Sequence, residues 1–303
     1  MKIAVASGKG GTGKTTISVS LALSSSGPTM LLDCDVEEPN AGLFLAQENV
    51  RETPVTVPVP VLDETACTKC GACAQFCEFN AIVHMGPIVM IFPELCHSCG
   101  GCALVCPVNA IHEEPSRIGT ITESTVSRRD ESGKDITPLT FMQGLLTIGN
   151  AMSPPVIRAV KDRAERSLAD GDARDESFVV IDAPPGTSCP MCTTVTGVDY
   201  VILVTEPTPF GLHDLDLAVK TVRKMGLPFG VVINRCDSGD DRVVAYCARE
   251  GIRLLMQIPE DRRIAVGYSE GKPLVDSAPD YRKKFAALAD LLSGEIRAKR
   301  NAG

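Results

Sequence analysis

A glycine-rich loop near the start of the sequence constrains the fold more than any other feature. Residues Gly8–Thr15 read GKGGTGKT and lie between an apolar strand predicted at Ile3–Ala6 and a helix predicted from about Lys14 to Leu23. The spacing fits G-x-x-x-x-G-K-[ST], in which backbone N–H groups and a helix N-terminus surround phosphates. Because the flanking strand and helix are both present, the loop predicts a nucleotide site rather than an empty glycine turn.

The residues of this loop have predicted roles at the nucleotide. Lys14 is expected to reach the β- and γ-phosphates, and the Thr15 hydroxyl is expected to hold Mg²⁺. The nucleotide-binding residues predicted here are Gly8, Gly10, Gly11, Thr12, Gly13, Lys14, Thr15 and Thr16.

Short apolar runs recur along the chain and predict further strands. They are Thr29–Leu32, Phe178–Ile181, Tyr200–Val204, Pro228–Ile233 and Leu254–Ile258. The runs do not alternate apolar and polar residues, which indicates strands buried on both faces and hence a mostly parallel sheet. Helices are predicted at about Pro154–Ala169, Leu212–Met225 and Tyr281–Arg300. The predicted fold class is therefore α/β, with a mostly parallel sheet flanked by helices.

This pattern is interrupted in the first half of the chain. Pro54, Pro58 and Pro60 predict a linker, because proline cannot continue a helix. Residues 116–138 are polar and predict a loop or a hairpin. We therefore predict one discontinuous α/β domain, made of residues 1–62 and 116–303, around a separate insert at 63–115.

The insert contains an internal repeat of cysteines. Eight of the thirteen cysteines lie between Cys67 and Cys106, and residues 67–82 recur as 96–111 with nine of sixteen positions identical. Two copies indicate a module with pseudo-twofold symmetry rather than a solenoid. An odd total at short, regular spacing favours metal ligation in a reducing cytoplasm over disulfide bonds.

Each copy has the spacing C-x₂-C-x₂-C-x₃-C, which is the bacterial ferredoxin run, and in such modules the fourth cysteine ligates the other cluster. The insert is thus predicted to be a small α+β ferredoxin-like module with two [4Fe–4S] clusters. Cluster 1 is assigned to Cys67, Cys70, Cys73 and Cys106, and cluster 2 to Cys96, Cys99, Cys102 and Cys77. Zinc is the alternative, but zinc motifs use paired cysteines rather than four in a run.

Other residues of the repeat refine this prediction. Gly71, Gly100 and Gly101 are expected to permit close approach of the backbone to the clusters. Glu78 stands where a proline is expected after the fourth cysteine, which weakens the expected geometry at that point but not the ligand count. His97 is either an exposed loop residue or a hydrogen-bond donor to a cluster.

Lys9, directly after the first glycine, resembles the extra lysine in the deviant P-loop of the family that includes MinD, ParA, Mrp and the nitrogenase iron protein. In that family the lysine crosses a dimer interface to the partner's phosphates. The resemblance implies ATP or ADP with Mg²⁺, Mg-dependent ATP hydrolysis, and an ATP-dependent dimer. The dimer partner would be a second copy of the chain or a paralogous MinD-like ATPase.

Two acidic segments extend the resemblance. Leu31–Asp35 resembles the first switch of the family, in which Asp35 would orient the attacking water and Asp33 would support the magnesium shell. Val179–Gly186 resembles Walker B and the second switch, in which Asp182 would hold a magnesium-bound water. The backbone N–H of Gly186 would contact the γ-phosphate and move when it leaves. The alternative for the carboxylates is solvated charge at strand ends.

Two later segments resemble the part of the family's site that binds the base. Asn234, at the end of a strand, would read adenine, and the loop beginning at Pro259 and Glu260 would pack against the base. The alternative for both is an ordinary turn. The implied catalytic set is Lys9, Lys14, Asp35 and Asp182.

Cys189 and Cys192 form a further candidate site just beyond the second switch. The nitrogenase iron protein has a cysteine at about this place, and Mrp-type carriers bridge their dimer with a C-P-x-C pair located farther along the chain. The pair is interpreted in two ways: it holds a cluster or metal shared between two subunits, or it consists of small buried residues near a moving loop.

Composition excludes several classes of function. The net charge of −8 and the absence of a basic run argue against nucleic-acid binding. No run is long and apolar enough to span a bilayer, so no membrane association is expected. The cysteine pattern indicates a reducing compartment, so a cytoplasmic location is expected.

Taken together, the chain resembles MinD-like ATPases with an internal ferredoxin insert, which are often associated with the orange protein or with nitrogenase-cofactor-like proteins. The resemblance implies an ATPase for metal or iron–sulfur cluster assembly that acts on a cluster acceptor. Alternatives are an ATP-gated electron donor to a redox protein, like the nitrogenase iron protein, and a positioning or partition ATPase.

Overall fold

A computed structural model describes residues 1–129, 134–169 and 177–302. Its strands are β1 (Lys2–Ala6), β2 (Thr29–Asp33), β3 (Gln47–Leu62), β4 (Ile82–Met85), β5 (Ile88–Ile91), β6 (Ile111–Arg129), β7 (Asp135–Leu146), β8 (Phe178–Asp182), β9 (Tyr200–Thr205), β10 (Phe229–Asn234) and β11 (Leu254–Ile258). Its helices are α1 (Lys14–Ser24), α2 (Ala72–Phe76), α3 (Gly101–Leu104), α4 (Ser153–Ala169), α5 (Cys189–Val195), α6 (Pro209–Lys224), α7 (Arg242–Arg249), α8 (Arg262–Ser269), α9 (Leu274–Ser277) and α10 (Asp280–Ala302).

The main sheet has nine strands in the order β11-β10-β9-β1-β8-β2-β7-β6-β3. The strands from β11 to β7 are parallel, while β6 is antiparallel to both β7 and β3. The predicted α/β class with a mostly parallel sheet is therefore confirmed. The carboxyl ends of β1, β2 and β8 meet at one edge of this sheet, which is where open parallel sheets bind ligands.

Helices cover both faces of the parallel part of the sheet, because central strands such as β1, β8 and β9 are mainly apolar and almost wholly buried. Alternate residues of β1 enter different cores: Ala4 and Ala6 pack with α4, α5, α6 and α7, whereas Ile3 and Val5 pack with α1, α9 and α10. This alternation is the two-residue period of a strand buried on both sides.

The prediction of a linker at Pro54, Pro58 and Pro60 is wrong, because all three residues lie inside strand β3. β3 is the last strand of the sheet and pairs with β6 along its length, from Gln47 opposite Val126 to Leu62 opposite Ile111. Proline has no N–H to donate, and an edge strand tolerates this where the backbone faces away from its neighbour.

A loop or a hairpin was predicted for the polar residues 116–138, and the structure shows a hairpin. Strands β6 and β7 pair from Gly119 opposite Leu146 to Arg129 opposite Asp135, and residues 130–133 of the connection lie outside the described ranges. β6 begins at Ile111 and runs through the predicted domain boundary at residue 115. The second cysteine run is thus joined to the sheet by a continuous strand.

The cysteine segment repeats its backbone conformation as well as its sequence. Positive φ angles recur at three pairs of positions 29 residues apart, namely Lys69 and Ser98, Gly71 and Gly100, and Asn80 and Asn109. The short helices α2 and α3 follow the same offset. The two copies therefore fold alike, with the antiparallel β4–β5 hairpin between them.

A buried arginine fastens the β6–β7 hairpin to the parallel sheet. The guanidinium of Arg128, only 4% exposed, donates six hydrogen bonds that end on uncharged oxygens. Its acceptors are the carbonyls of Ala22, Ser25, Gly27 and Thr137 and the Thr29 hydroxyl. Burial lowers the pKa of Arg128 to about 10, so the side chain stays charged at neutral pH.

We expect Arg128→Met to lower the free energy of unfolding by about 3 kcal/mol, because it leaves buried carbonyls without donors. Urea unfolding at pH 7 measures this change. The exposed Arg166→Met is the control and should change the stability by less than about 0.5 kcal/mol. Equal urea midpoints for wild type and Arg128→Met would contradict this role.

Candidate nucleotide site and cysteine sites

The glycine loop turns the chain from β1 into α1. Gly13 has φ of 92°, a left-handed conformation that favours glycine, and Lys14 follows it as the first residue of α1. A β-carbon on Gly8 would lie 2.1 Å from the Asp214 carbonyl oxygen, so glycine is required where the loop packs on α6. The N–H groups at the start of α1 have no partners within the helix, which suits them to an anion.

Asp182 ends β8 and lies fully buried beside α1. Its Oδ2 accepts a hydrogen bond from Thr15 Oγ1 (2.6 Å), and its Oδ1 accepts one from Ser18 Oγ (2.8 Å). Burial raises the pKa of Asp182, while these hydrogen bonds and the Lys14 charge favour its carboxylate. Sequence analysis missed Ser18, although it lies one helical turn after Lys14.

Asp33, at the end of β2, is also fully buried. Its carboxylate accepts hydrogen bonds from the backbone N–H groups of Asp35 (3.1 Å), Asn40 (3.0 Å) and Ala41 (2.9 Å). Burial, and then the charge of Asp182, raise the pKa of Asp33. The carboxylate therefore shapes the loop that follows β2, and its role in the magnesium shell stays a prediction.

A cleft of about 430 Å³ opens beside the glycine loop, a size usual for small-molecule sites. Ten predicted residues line it: Gly10, Gly11, Gly13, Lys14, Thr15, Thr16, Asp35, Asn234, Pro259 and Glu260. The other predicted residues of this site do not line it: Gly8, Lys9, Thr12, Asp33, Asp182 and Gly186. Lining residues that sequence analysis missed include Glu38, Asn40, Arg235, Ile264 and Tyr268.

Asp35 carries the perturbed carboxyl group that faces this cleft. Burial raises its pKa to about 7, against the opposing effect of the Lys14 ammonium. The Lys14 side chain is itself 6% exposed. The cleft thus contains a nearly buried cation and a carboxyl group that titrates near neutral pH.

The far end of the cleft is tied to the glycine loop by Asn234. Its Nδ2 donates to the Thr12 carbonyl oxygen (3.0 Å). The adjoining side of the cleft is formed by the segment from Glu260 into α8. The N–H of Glu260 donates to Asp237 Oδ1 (2.6 Å), and Asp261 caps the N-terminus of α8. This end of the cleft is where the sequence placed the base.

Two predicted residues make contacts that differ from their predicted roles. The N–H of Gly186 donates to the Ser7 carbonyl oxygen (3.0 Å), so its contact with a γ-phosphate requires that bond to be exchanged. Lys9 Nζ lies 3.9 Å from Glu206, whose carboxylate also pairs with Arg235 at 3.0 Å. Sequence analysis missed Glu206, because its partners lie far away along the chain.

The cysteines of the first predicted set line one small cavity, which also contacts Gly71, Pro107 and Val108. They are Cys67, Cys70, Cys73 and Cys106. The cavity thus contains three cysteines of the first run and the fourth cysteine of the second run. Backbone N–H groups donate to two of these sulfurs, from Lys69 to Cys67 (3.3 Å) and from Ala110 to Cys106 (3.2 Å).

Part of the second set also joins the two runs. Cys96 packs against Cys77, from the first run, in a small apolar cluster. Burial, and then the charges of Cys99 and Cys77, raise the pKa of the Cys96 thiol. Burial, together with the charges of Cys96 and Cys99, raises the pKa of the Cys102 thiol. The Ser98 N–H donates to Cys96 Sγ (3.3 Å), as Lys69 does to Cys67.

Across the ranges that the structure describes, no group of three or more His, Cys, Asp or Glu side chains is placed to hold a single metal ion. His97 is exposed and stacks on Phe79, with ring centroids 3.6 Å apart.

Cys189 and Cys192 begin α5, directly after the segment that contains Gly186. Cys189 is exposed, whereas Cys192 is half-buried with its Sγ 3.9 Å from the Thr187 carbonyl oxygen. Of the two thiols, that of Cys189 is therefore the one open to solvent. In the described part of the chain, no helix has the length and apolarity needed to cross a membrane.

The loop between β1 and α1, the buried carboxylates and the adjoining cleft define a P-loop nucleotide-binding protein of the α/β class. The chain belongs to the CobQ/CobB/MinD/ParA nucleotide-binding domain family, which it matches over residues 3–274.

Relatives and solved structures agree with this placement. An uncharacterised protein of Methanocaldococcus jannaschii is 33% identical over 78% of each chain. An iron–sulfur cluster carrier protein of Pyrococcus horikoshii is 25% identical over 98% of this chain and 86% of its own length. The septum site-determining protein MinD of P. horikoshii, solved with Mg-ADP, has 21% sequence identity to this chain. Its structure superposes with a TM-score of 0.53 over 97% of this chain and 98% of its own, which shows a shared fold.

Proposed function

We propose that the chain is an ATP-hydrolysing iron–sulfur protein that transfers metal or iron–sulfur clusters to an acceptor protein under nucleotide control. The observation that carries the proposal is the presence, in one chain, of a P-loop cleft and a cavity lined by four cysteines from both runs, with Cys77 of the first run packed against Cys96 of the second. The similarity to iron–sulfur cluster carrier proteins supports it. The predicted division into residues 1–62 with 116–303 and 63–115 assigns the two parts to ATPase and ferredoxin-like domains.

The cleft suits hydrolysis of ATP. Lys14 would neutralise the terminal phosphates from its position at the start of α1, and Asp35 would orient the attacking water. Thr15 and Asp182, a hydroxyl and a carboxylate 2.6 Å apart, are hard oxygen donors of the kind Mg²⁺ prefers. Bound Mg²⁺ would supply charge neutralisation at the phosphates.

We expect kcat/KM for ATP to rise with pH through about 7, because the Asp35 carboxyl is protonated below its raised pKa and ionised above it. The folded-state pKa of Asp35 lies above its ordinary value of 3.8. The free energy of unfolding of the nucleotide-free chain therefore also falls as the pH rises from 3.8 to about 7. Phosphate release between pH 5.5 and 8.5 measures the profile. The Asp35→Asn variant should be slower and flat near pH 7; an unchanged rise in this variant would exclude Asp35.

The cysteine sets fit [4Fe–4S] clusters by their donor chemistry. Each set has four thiols, short loops with left-handed residues, and N–H groups directed at sulfur. When bound, such clusters supply one-electron redox chemistry, and hydrogen bonds to sulfur tune their potential. The chain's own contribution is to hold the thiols at fixed corners on the two repeated loops.

A dimer would bring the exposed face of the glycine loop to a partner. Lys9 is held at the surface by Glu206, which also binds Arg235, so the free chain keeps this lysine away from its own cleft. Dimerisation would release Lys9 to the phosphates of a second copy or a paralogous chain. Exposed Cys189 and its neighbour Cys192 would then be supplied by both subunits to hold a cargo cluster.

Transfer to an apo-ferredoxin, followed by visible circular dichroism, tests the proposal. We expect Mg-ATP to accelerate transfer at least about fivefold over a non-hydrolysable analogue. A variant with both Cys189→Ser and Cys192→Ser should lose transfer but keep the clusters of the insert. Transfer that is independent of nucleotide, or unaffected by this variant, would contradict the proposal.

An ATP-gated electron donor is the second candidate. It is favoured by the enclosure of four cysteines around one cavity, which suits a resident cluster better than a cargo. In this case Cys77→Ser or Cys106→Ser would stop electron delivery to a redox partner. Cluster transfer through Cys189 and Cys192 would survive the same changes.

A further inference from the structure

The two copies of the cysteine repeat differ in what covers them. Gly71 in the first copy faces the ring of His84, 2.8 Å from the position a β-carbon would take. The equivalent Gly100 in the second copy faces the carboxylate of Glu113, at 3.6 Å. The first copy is therefore covered by the β4–β5 hairpin, whereas an exposed acid flanks the second.

Two phenylalanines lie over the second copy and remain open to solvent. The ring of Phe76 contacts Gly101 so closely that a β-carbon there would lie 2.0 Å from it. Phe79 stacks on His97, and the two planes differ by only 9°. Phe76 and Phe79 are 48% and 43% exposed, and Cys99 is also exposed. Both aromatic rings thus stand at the surface beside a predicted cluster ligand.

The segment that contains these rings is acidic. Residues 63–115 carry six Asp and Glu against a single lysine, so this sixth of the chain holds most of its net charge of −8. The lysine, Lys69, belongs to the first copy, and the equivalent residue of the second copy is Ser98. We name the Phe79 surface after its central residue and define it as Phe76, Glu78, Phe79, His97, Cys99 and Glu113.

We propose that the Phe79 surface is the docking site of a basic protein that exchanges electrons with the second cysteine set; this rests on the proposed iron–sulfur function. An apolar patch on that protein would cover Phe76 and Phe79, and its Lys or Arg residues would pair with Glu78 and Glu113. A second copy of the chain is a poor occupant, because it would bring the same acidic surface to the contact.

Oxidised cytochrome c, a basic haem protein, is the probe. Calorimetric titration of the iron-loaded chain at low ionic strength should show binding that weakens as salt is added. A variant with Glu78→Lys and Glu113→Lys should bind at least about tenfold more weakly, and Phe79→Ser about threefold more weakly. The matched control reverses two exposed acids of the α/β domain, Asp241→Lys and Asp290→Lys, and should bind like wild type.

Electron transfer gives a second readout. With the chain reduced by dithionite and the excess reductant removed, the cluster of the second set would pass one electron to one haem iron, which goes from Fe(III) to Fe(II) without proton transfer. Stopped-flow rates at low salt should follow the same order of variants as the affinities.

The docking proposal is overturned if the Glu78/Glu113 variant binds like wild type, if the control is weakened equally, if the probe does not bind, or if sedimentation shows this surface joining two copies. Iron analysis beforehand separates the two proposals. An iron-free chain overturns the iron–sulfur function itself, whereas an iron-loaded chain with charge-insensitive binding overturns the docking alone.

Discussion

Replacing Lys14 by alanine is expected to weaken binding of Mg-ATP at least about 100-fold, the largest effect of any single change in the cleft. Lys14 is 6% exposed at the start of α1, and its charge acts on both Asp35 and Asp182. Without it, the triphosphate would enter a site that keeps two carboxyl groups and loses its buried cation. Equilibrium binding of a fluorescent ATP analogue measures the loss.

Lys9→Ala is the matched control for that experiment, because Lys9 lies on the same loop but outside the cleft. It should bind nucleotide within about threefold of wild type and should fail to form an ATP-dependent dimer. Thermal unfolding of both variants without nucleotide checks that each is folded. Normal ATP binding by folded Lys14→Ala would show that the cleft is not the nucleotide site.

Paired cysteine variants are expected to reveal which thiols share a cluster. In the crossed arrangement Cys67 and Cys106 line the same cavity, so losing both should cost no more iron than losing either one. The Cys67→Ser/Cys106→Ser chain should keep about four of about eight iron atoms, whereas the Cys67→Ser/Cys77→Ser chain should keep almost none. Iron and sulfide analysis after anaerobic reconstitution measures both.

The reverse result would mean that each run holds its own cluster. Cys236→Ser is a suitable control, since Cys236 is half-buried outside the insert and should leave the iron content unchanged. Zinc in place of iron in the wild-type chain would exclude clusters altogether.

Local sequence patterns predicted the parts of the fold that local rules determine. Apolar runs such as Phe178–Ile181 predicted strands buried on both faces, and in the structure this strand extends to Asp182 with every residue buried. The glycine loop was correctly predicted to lie between a strand and a helix, because the P-loop motif occurs in that arrangement. Strand β3 was missed because the prolines were interpreted without knowing that the segment forms a sheet edge.

The candidate site could be predicted only where a motif names its residues. Asp182, at a strand end, was found in this way, whereas its partner Ser18 follows no motif and depends on the packing of α1 against β8. Glu206 and Arg235 meet because β9 and β10 are neighbours in the sheet, and nothing local in the sequence encodes that order. The Phe79 surface likewise could not be predicted from the sequence, because it depends on how the two copies of the repeat pack together.

Native mass spectrometry of the anaerobically prepared chain with Mg-ATP counts nucleotide, metal and subunits in one experiment. We expect a dimer that carries one nucleotide and two [4Fe–4S] clusters per chain. A chain that binds nucleotide but carries zinc or no metal, or one that carries clusters but no nucleotide, would contradict it.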